Sequence, residues 1–511
     1  MLHVLSPWDH GPKGTIVDIE CHLSNGLPGI TIVGYANRAV DEAKERIRGA
    51  FTSSKLTLPR KRIVINLAPA DLPKESTSFD LGVAVAILAA SDQLTRKPGS
   101  DYGFVGEVGL DGTIRPVRGV LGKLLAGKRH GLTTFVLPQA NLEQAMLIPG
   151  INLIPVANLR DIYADFNKPA SERITNSGKG HLPVLTKEPS YDVLLSDIVG
   201  QVRAKRALEI AAAGGHNILM NGPPGTGKSM LAKALPSILP AMTHDELVEV
   251  THLHSLSSDG SYEEIVLKRP FRSPHHSASH IAIVGGGHNL RPGEISLAHR
   301  GVLFFDELPE FGRQTIESLR QPLEDHEITI ARAKETASYP AEFILVTTSN
   351  PCPCGYYGTK KACRCAPYEI QRYRRKLSGP ILDRIDLYVE VDEVAHESLL
   401  NESRDNDAAT IAARKRVERA RTLQRTRHNT KKPLLNSAMS GNHLKKQAKL
   451  SKEAKTLLDQ AAVKLDISAR SYMRTIKVAR TIADLEAAEE ITSPHIGEAL
   501  QYRSHNYHAS E

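Results

Sequence analysis

The chain has 511 residues, 41% of them hydrophobic and 24% charged, an ordinary globular composition long enough for two to four domains. No run of about 18 apolar residues occurs, and the start, Met1 to His10, lacks a basic region followed by an apolar core, so neither a membrane span nor a secretory leader is expected and the protein reads as cytoplasmic. The formal net charge of +8 suits a polyanionic partner without requiring one.

Residues 1 to 167 read as one mixed α and β region. Residues 63–67 are a β-type run, 81–90 an Ala-rich buried helix, and 104–108 and 135–138 two further strands. Residues 168–190 carry Pro, Ser, Lys and Gly without apolar periodicity and read as a linker. Nucleotide-binding features occupy 191–391. From 392 to 511 the chain is rich in Ala, Arg, Leu and Lys and reads as helical, apart from a polar loop at 401–407. Within it, residues 411–432 hold nine Lys or Arg against the single acid Glu418. That pattern fits either a solvated helix face or a nucleic-acid contact.

Ile218-Leu219-Met220 is a short buried strand. It runs into Gly222-Pro223-Pro224-Gly225-Thr226-Gly227-Lys228-Ser229 and then into the helical Met230-Leu231-Ala232-Lys233. This is the phosphate-binding loop in its proper setting, strand before and helix after. The glycines let backbone N–H groups turn inward on the phosphates, and the helix N-terminus adds a favourable dipole. ATP is therefore the expected nucleotide. Lys228 is expected on its β- and γ-phosphates, and Ser229 on Mg2+. Val302-Leu303-Phe304-Phe305 is an apolar strand ending in Asp306 and Glu307, where ligands bind in α/β sheets. Asp306 is expected to hold Mg2+ through water, and Glu307 to orient and polarise the attacking water. A further β-type run ends in Asn350, where a γ-phosphate sensor would sit. Arg384 follows beside a turn and, taken alone, reads as a surface ion-pair partner.

The order of these motifs resembles the AAA+ ATPases, and within them the magnesium-chelatase and MCM-like branch. The resemblance implies that Asn350 is sensor 1, that Arg384 is an arginine finger reaching a neighbouring subunit's nucleotide, and that Arg470, in Ser468-Ala469-Arg470, is sensor 2. A finger acting in trans implies a homohexameric ring. Gly29-Ile30-Thr31-Ile32-Val33-Gly34, Asn66-Leu67-Ala68-Pro69-Ala70-Asp71-Leu72-Pro73, Phe271-Arg272-Ser273-Pro274-His275-His276 and Asn350-Pro351-Cys352-Pro353-Cys354-Gly355 are similar to the ComM/YifB family. That likeness implies a P-loop AAA+ module, a C-terminal helical domain and a Lon-protease-like α+β domain at the N-terminus. The implied activity is that of a hexameric DNA helicase driving branch migration in natural transformation.

Lon-type proteases use a Ser-Lys dyad. Ser78 stands where the nucleophile is expected, but Leu121 occupies the position of the lysine, and Lys123, two residues on, points elsewhere if the segment is helical. A serine without a base is a poor nucleophile, so the domain is expected not to cleave peptides. In the MCM-like branch two hairpins face the ring pore. Their counterparts here lie within 270–300, which offers Arg272 and His275, and at 328–334, which offers Arg332 and Lys334. These four are the candidate contacts to single-stranded or branched DNA.

Four of the five cysteines, Cys352, Cys354, Cys363 and Cys365, fall within 14 residues as C-x-C-x8-C-x-C. Four thiolates suit tetrahedral Zn2+, and reduced free thiols are the alternative. The rival functional readings are the ATPase subunit of a metal chelatase, an ATP-dependent protease and a non-catalytic scaffold.

Overall fold

Residues 3–9, 14–34, 38–70, 76–169, 176–177, 190–257, 264–287, 290–331, 336–377, 379–394, 407–428 and 434–503 are described in a computed structural model. They fall into two units, Met1–Glu188 with Thr243–Leu267, and Pro189–Met242 with Lys268–Glu511. Among the described residues no helix is long and apolar enough to cross a membrane.

The first unit is built on strands β1 (His3–Trp8), β2 (Thr15–Ser24), β3 (Gly29–Val33), β4 (Arg62–Ala68), β5 (Tyr102–Phe104), β6 (Glu107–Val108), β7 (Ile114–Arg115), β8 (Thr134–Pro138), β9 (Asn152–Val156) and β10 (Asn176–Ser177). Eight of them form one mixed sheet in the order β10-β9-β8-β5-β1-β2-β4-β3. Every second residue is buried: Val17 and Ile19, Ile30 and Ile32, and Ile63, Ile65 and Leu67. That alternation follows from the two-residue period of a strand. Helix Asp80–Ala90 covers this face and is itself buried from Asp80 to Ala89. Gly82 permits the close approach, since a Cβ there would lie 2.5 Å from Ile19 Cδ1. The run 104–108 is not one strand. It breaks after Phe104: the Gly106 N–H turns to the Ser78 carbonyl at 3.0 Å, and Glu107–Val108 pairs with Ile114–Arg115 as a separate hairpin.

The second unit holds β11 (Ile218–Asn221), β12 (Phe271–Arg272), β13 (Gly285–Gly286), β14 (Arg291–Pro292), β15 (Val302–Phe305), β16 (Glu327–Ala331), β17 (Thr336–Pro340), β18 (Ile344–Ser349) and β19 (Leu387–Glu390). Its main sheet is parallel throughout, in the order β12-β15-β18-β11-β19. Phe271–Arg272 is therefore an edge strand of this sheet, and among the described residues the hairpin in the 270–300 segment is β13 with β14. Both faces of the sheet are covered, as expected of parallel strands. Val302, Phe304, Ile218, Met220 and Val346 pack into one core with the C-terminal helices. Leu303, Phe305, Leu219 and Leu345 pack into another. The helices Ala408–His428, Lys452–Lys464, Ala469–Leu485 and Ser493–Gln501 belong to this unit.

Helix His244–Leu256 follows the P-loop helix Lys228–Ile238 in sequence, yet packs with the first unit. Thr243 caps it in a reciprocal box with Glu246, and His252 Nε2 lies 3.0 Å from Asp9 Oδ2. The sequence carries no mark of this excursion.

Candidate nucleotide site and cysteine cluster

The strand order places the ends of β15, β18 and β11 side by side, and the candidate site forms at that edge. Gly225 and Gly227 take left-handed backbone angles, φ 82° and 88°. They turn the loop so that Lys228 opens the helix. Its Nζ donates to the carbonyls of Gly222 (2.6 Å) and Pro223 (2.8 Å) and to Asn350 Oδ1 (3.2 Å). Burial lowers the Lys228 pKa, and the charges of Asp306 and Glu307 oppose that shift. Ser229 Oγ donates to Asp306 Oδ2 at 3.0 Å. Asn350 Nδ2 donates to Glu307 Oε1 at 3.2 Å. Lys228, Ser229, Asp306, Glu307 and Asn350 form one hydrogen-bonded group, joined through Thr348. Glu307 sits at φ 53°, a left-handed angle uncommon for a residue with a side chain and often found at functional sites.

Two residues of this site escaped the sequence reading. Thr348 Oγ1 donates to Asp306 Oδ1 at 2.6 Å and accepts the Glu307 N–H at 2.8 Å, so one hydroxyl holds both acids. Its position two residues before Asn350, on the strand beside β15, is the only signal for it. Gln201 Nε2 donates to the carbonyls of Thr226 (3.3 Å) and Asp392 (2.7 Å), tying the loop to the segment after β19.

The other candidates lie apart from this group. Arg384 is ion-paired with Glu324. Arg470 is 71% exposed, with Asp383 at 3.9 Å. Arg272 makes a two-pronged pair with Glu294, both contacts 2.5 Å, which neutralises its charge. His275 Nδ1 shares a hydrogen bond with Ser277 Oγ at 2.7 Å, and its ring centroid lies 4.1 Å from that of His276. Arg332 and Lys334 lie outside the described residues. The flanking strands β16 and β17 pair antiparallel, with Ala331 opposite Thr336. In the basic stretch, Arg414 donates to the Ser237 carbonyl, Arg416 pairs with Glu209, Arg419 donates to the Leu485 carbonyl, Arg421 to the Ala212 carbonyl, and Arg427 pairs with Asp484. These five guanidinium groups brace the helix against its own unit.

In the first unit Ser78 is 1% exposed and its hydroxyl meets Ser76 Oγ at 2.7 Å. Leu121 is fully buried, and the buried Lys123 donates its Nζ to the Arg118 carbonyl at 2.7 Å. Among the described residues no hydrogen bond joins Ser78 to a base.

The four clustered cysteines converge. Their sulfurs all lie within 4.8 Å of one another, with Cys352–Cys354 at 3.4 Å, Cys352–Cys363 at 3.7 Å and Cys354–Cys363 at 3.6 Å. Tetrahedral zinc with Zn–S of about 2.3 Å has S–S edges of about 3.8 Å, so the donor set fits. Backbone N–H groups of Arg364 and Tyr356 draw the Cys354 thiol down to about 6. The Cys354 backbone N–H also lowers Cys365, but burial and the sulfurs of Cys354 and Cys352 push it up to about 12. Such mutual opposition among thiols is what a central dication removes.

Comparison with known proteins agrees with this architecture along the chain. Residues 194–399 match the family described as magnesium chelatase, subunit ChlI, residues 19–141 match subunit ChlI of Mg-chelatase, and residues 407–503 match the ChlI C-terminal family. A Lon protease of Mycolicibacterium smegmatis is 29% identical over 32% of this chain and 22% of its own. The uncharacterized protein YifB of Escherichia coli is 40% identical over 97% of this chain and 95% of its own. The competence protein ComM of Haemophilus influenzae is 43% identical over 97% of this chain and 96% of its own. With a P-loop AAA+ module, a C-terminal helical region and a mixed α and β N-terminal unit, the chain belongs to the ComM/YifB family of magnesium-chelatase-like AAA+ proteins.

Proposed function

We propose that the protein hydrolyses ATP and uses the work to translocate on DNA as a homohexameric ring in the cytoplasm, driving branch migration during natural transformation. The hydrogen-bonded group of Lys228, Ser229, Asp306, Glu307 and Asn350 carries the catalytic part of this reading. In it the backbone from Gly222 to Gly227 cradles the phosphates and Lys228 neutralises the β- and γ-phosphate oxygens. Ser229 and Asp306 would hold Mg2+, which shields the charge shared by those oxygens. Glu307 polarises a water for attack on the γ-phosphorus, and Asn350 orients it. Arg384 completes a neighbouring subunit's site, and Arg470, as sensor 2, contacts the γ-phosphate. The ion pair between Arg384 and Glu324 keeps the finger ordered until a neighbour takes it.

DNA as the object rests on kinship with a competence protein. Arg332 and Lys334, between β16 and β17, are the proposed phosphate contacts, with His275 in a supporting role and Arg272 joining only where its pair with Glu294 opens. Four cysteines are proposed to hold Zn2+. The N-terminal unit is proposed to serve assembly or DNA contact without proteolysis, because Ser78 has no base bonded to it among the described residues. A second reading, the ATPase partner of a metal-inserting enzyme, is favoured by the three chelatase-subunit matches. A labelled four-way junction separates the two. Strand exchange by the protein with ATP, lost in Glu307→Gln, supports the motor; no strand movement at any protein concentration supports the chelatase reading.

A further inference from the structure

The loop that carries the cysteines does not stand apart from the nucleotide site. It begins two residues after Asn350, whose side chain bonds both Lys228 and Glu307. At its first turn Gly355, held by a 2.9 Å hydrogen bond to the Cys352 carbonyl, takes φ 84°. There it lies directly on the phosphate-binding loop: a Cβ at Gly355 would come within 2.6 Å of Pro224 Cδ and 2.7 Å of its Cγ. A proline ring cannot swing aside as a long side chain can. Cys352 is fully buried, and its sulfur accepts the Tyr357 N–H at 3.3 Å. Beyond the loop, at the end of the helix Pro367–Arg375 that follows it, Lys376 Nζ meets the Glu310 carboxylate at 3.4 Å. The loop thus follows directly on the sensor asparagine and packs on the phosphate-binding loop.

We propose that the four-cysteine loop is a buttress for the phosphate-binding loop, so that metal held by Cys352, Cys354, Cys363 and Cys365 sets nucleotide affinity. The proposal rests on the zinc reading and goes beyond it. Four metal–sulfur bonds fix the short loop into one shape. That shape presses Gly355 against Pro224 and holds Pro223 and Gly222 where Lys228 can reach both the carbonyls and a phosphate. Without the metal the loop gains conformations, and nucleotide must order it on binding, which weakens apparent affinity.

The test uses the full chain with Mg2+ in excess, a zinc-selective chelator, and a fluorescent ATP analogue titrated to give Kd, with bound zinc measured by elemental analysis. Stripping zinc is expected to raise Kd by roughly tenfold, about 1.4 kcal/mol, and returning zinc restores it. Gly355→Ala keeps all four thiols, so it is expected to retain zinc and still raise Kd by a similar factor, through its clash with Pro224. Far-UV circular dichroism of both forms confirms that the fold persists. Zinc bound but Kd unchanged by stripping and by Gly355→Ala overturns the buttress and leaves the metal site standing. Protein that neither carries nor takes up zinc overturns the metal reading and the buttress with it.

Discussion

Thr348 shows what a single hydroxyl contributes to the site. It holds Asp306 through one bond and fixes the backbone of Glu307 through another, so the strained turn at Glu307 is anchored on the neighbouring strand. Thr348→Val removes both bonds at nearly constant volume. It is expected to lower kcat by ~10- to ~100-fold through misplacement of the acids, with nucleotide binding retained and Thr348→Ser restoring most of the rate; steady-state kinetics check this. Glu307→Gln, by contrast, removes the proposed base and should cost at least ~100-fold in kcat while ATP still binds, as equilibrium titration would show. The contrast also marks what was readable beforehand. Lys228, Ser229, Asp306 and Glu307 announce themselves because phosphate chemistry dictates their types and spacing. Thr348 and Gln201 act by holding others, and many residue types can do that, so only the assembled strands reveal them.

At the scale of elements, helix Ala408–His428 bears on the basic stretch, whose charge pattern left both a solvated face and a nucleic-acid contact open. Its arginines look in sequence like a patch for a polyanion, yet five of them brace the helix against Glu209, Asp484 and backbone carbonyls of its own unit. A sequence shows how many charges a helix carries but not which carbonyls face them. The neighbouring helix Ala469–Leu485 depends on the same device. Asp484, fully buried, accepts from Arg427, Arg480 and Asn436. Asp484→Ala leaves two guanidinium groups uncompensated and is expected to destabilise the second unit by about 3–5 kcal/mol, seen as a lower urea midpoint. The strands were legible because their apolar runs are short, β-branched and bounded by turn residues. The break at Gly106 and the excursion of helix His244–Leu256 into the first unit were not. Both are decided by tertiary partners, the Ser78 carbonyl in one case and Asp9 in the other.

For the whole molecule, the hydrogen bonds described around Lys228 join no arginine to the proposed hydrolytic group. Arg384 lies outside that group, paired with Glu324, which fits a residue reserved for a neighbour. Arg384→Ala and Lys228→Ala should each be inactive alone. Mixing the two before assembly should recover part of the ATPase rate, because mixed rings bring an intact loop beside an intact finger; a finger acting within its own subunit gives no recovery. The object of the motor is the claim that reaches furthest from the geometry, and the dependence of the ATPase rate on DNA tests it most directly. The account predicts that steady-state hydrolysis by the wild-type protein rises several-fold as four-way-junction DNA is titrated in, and that Lys334→Ala weakens this response with a reduced salt dependence. A hydrolysis rate that stays the same with and without DNA at every salt concentration would contradict it.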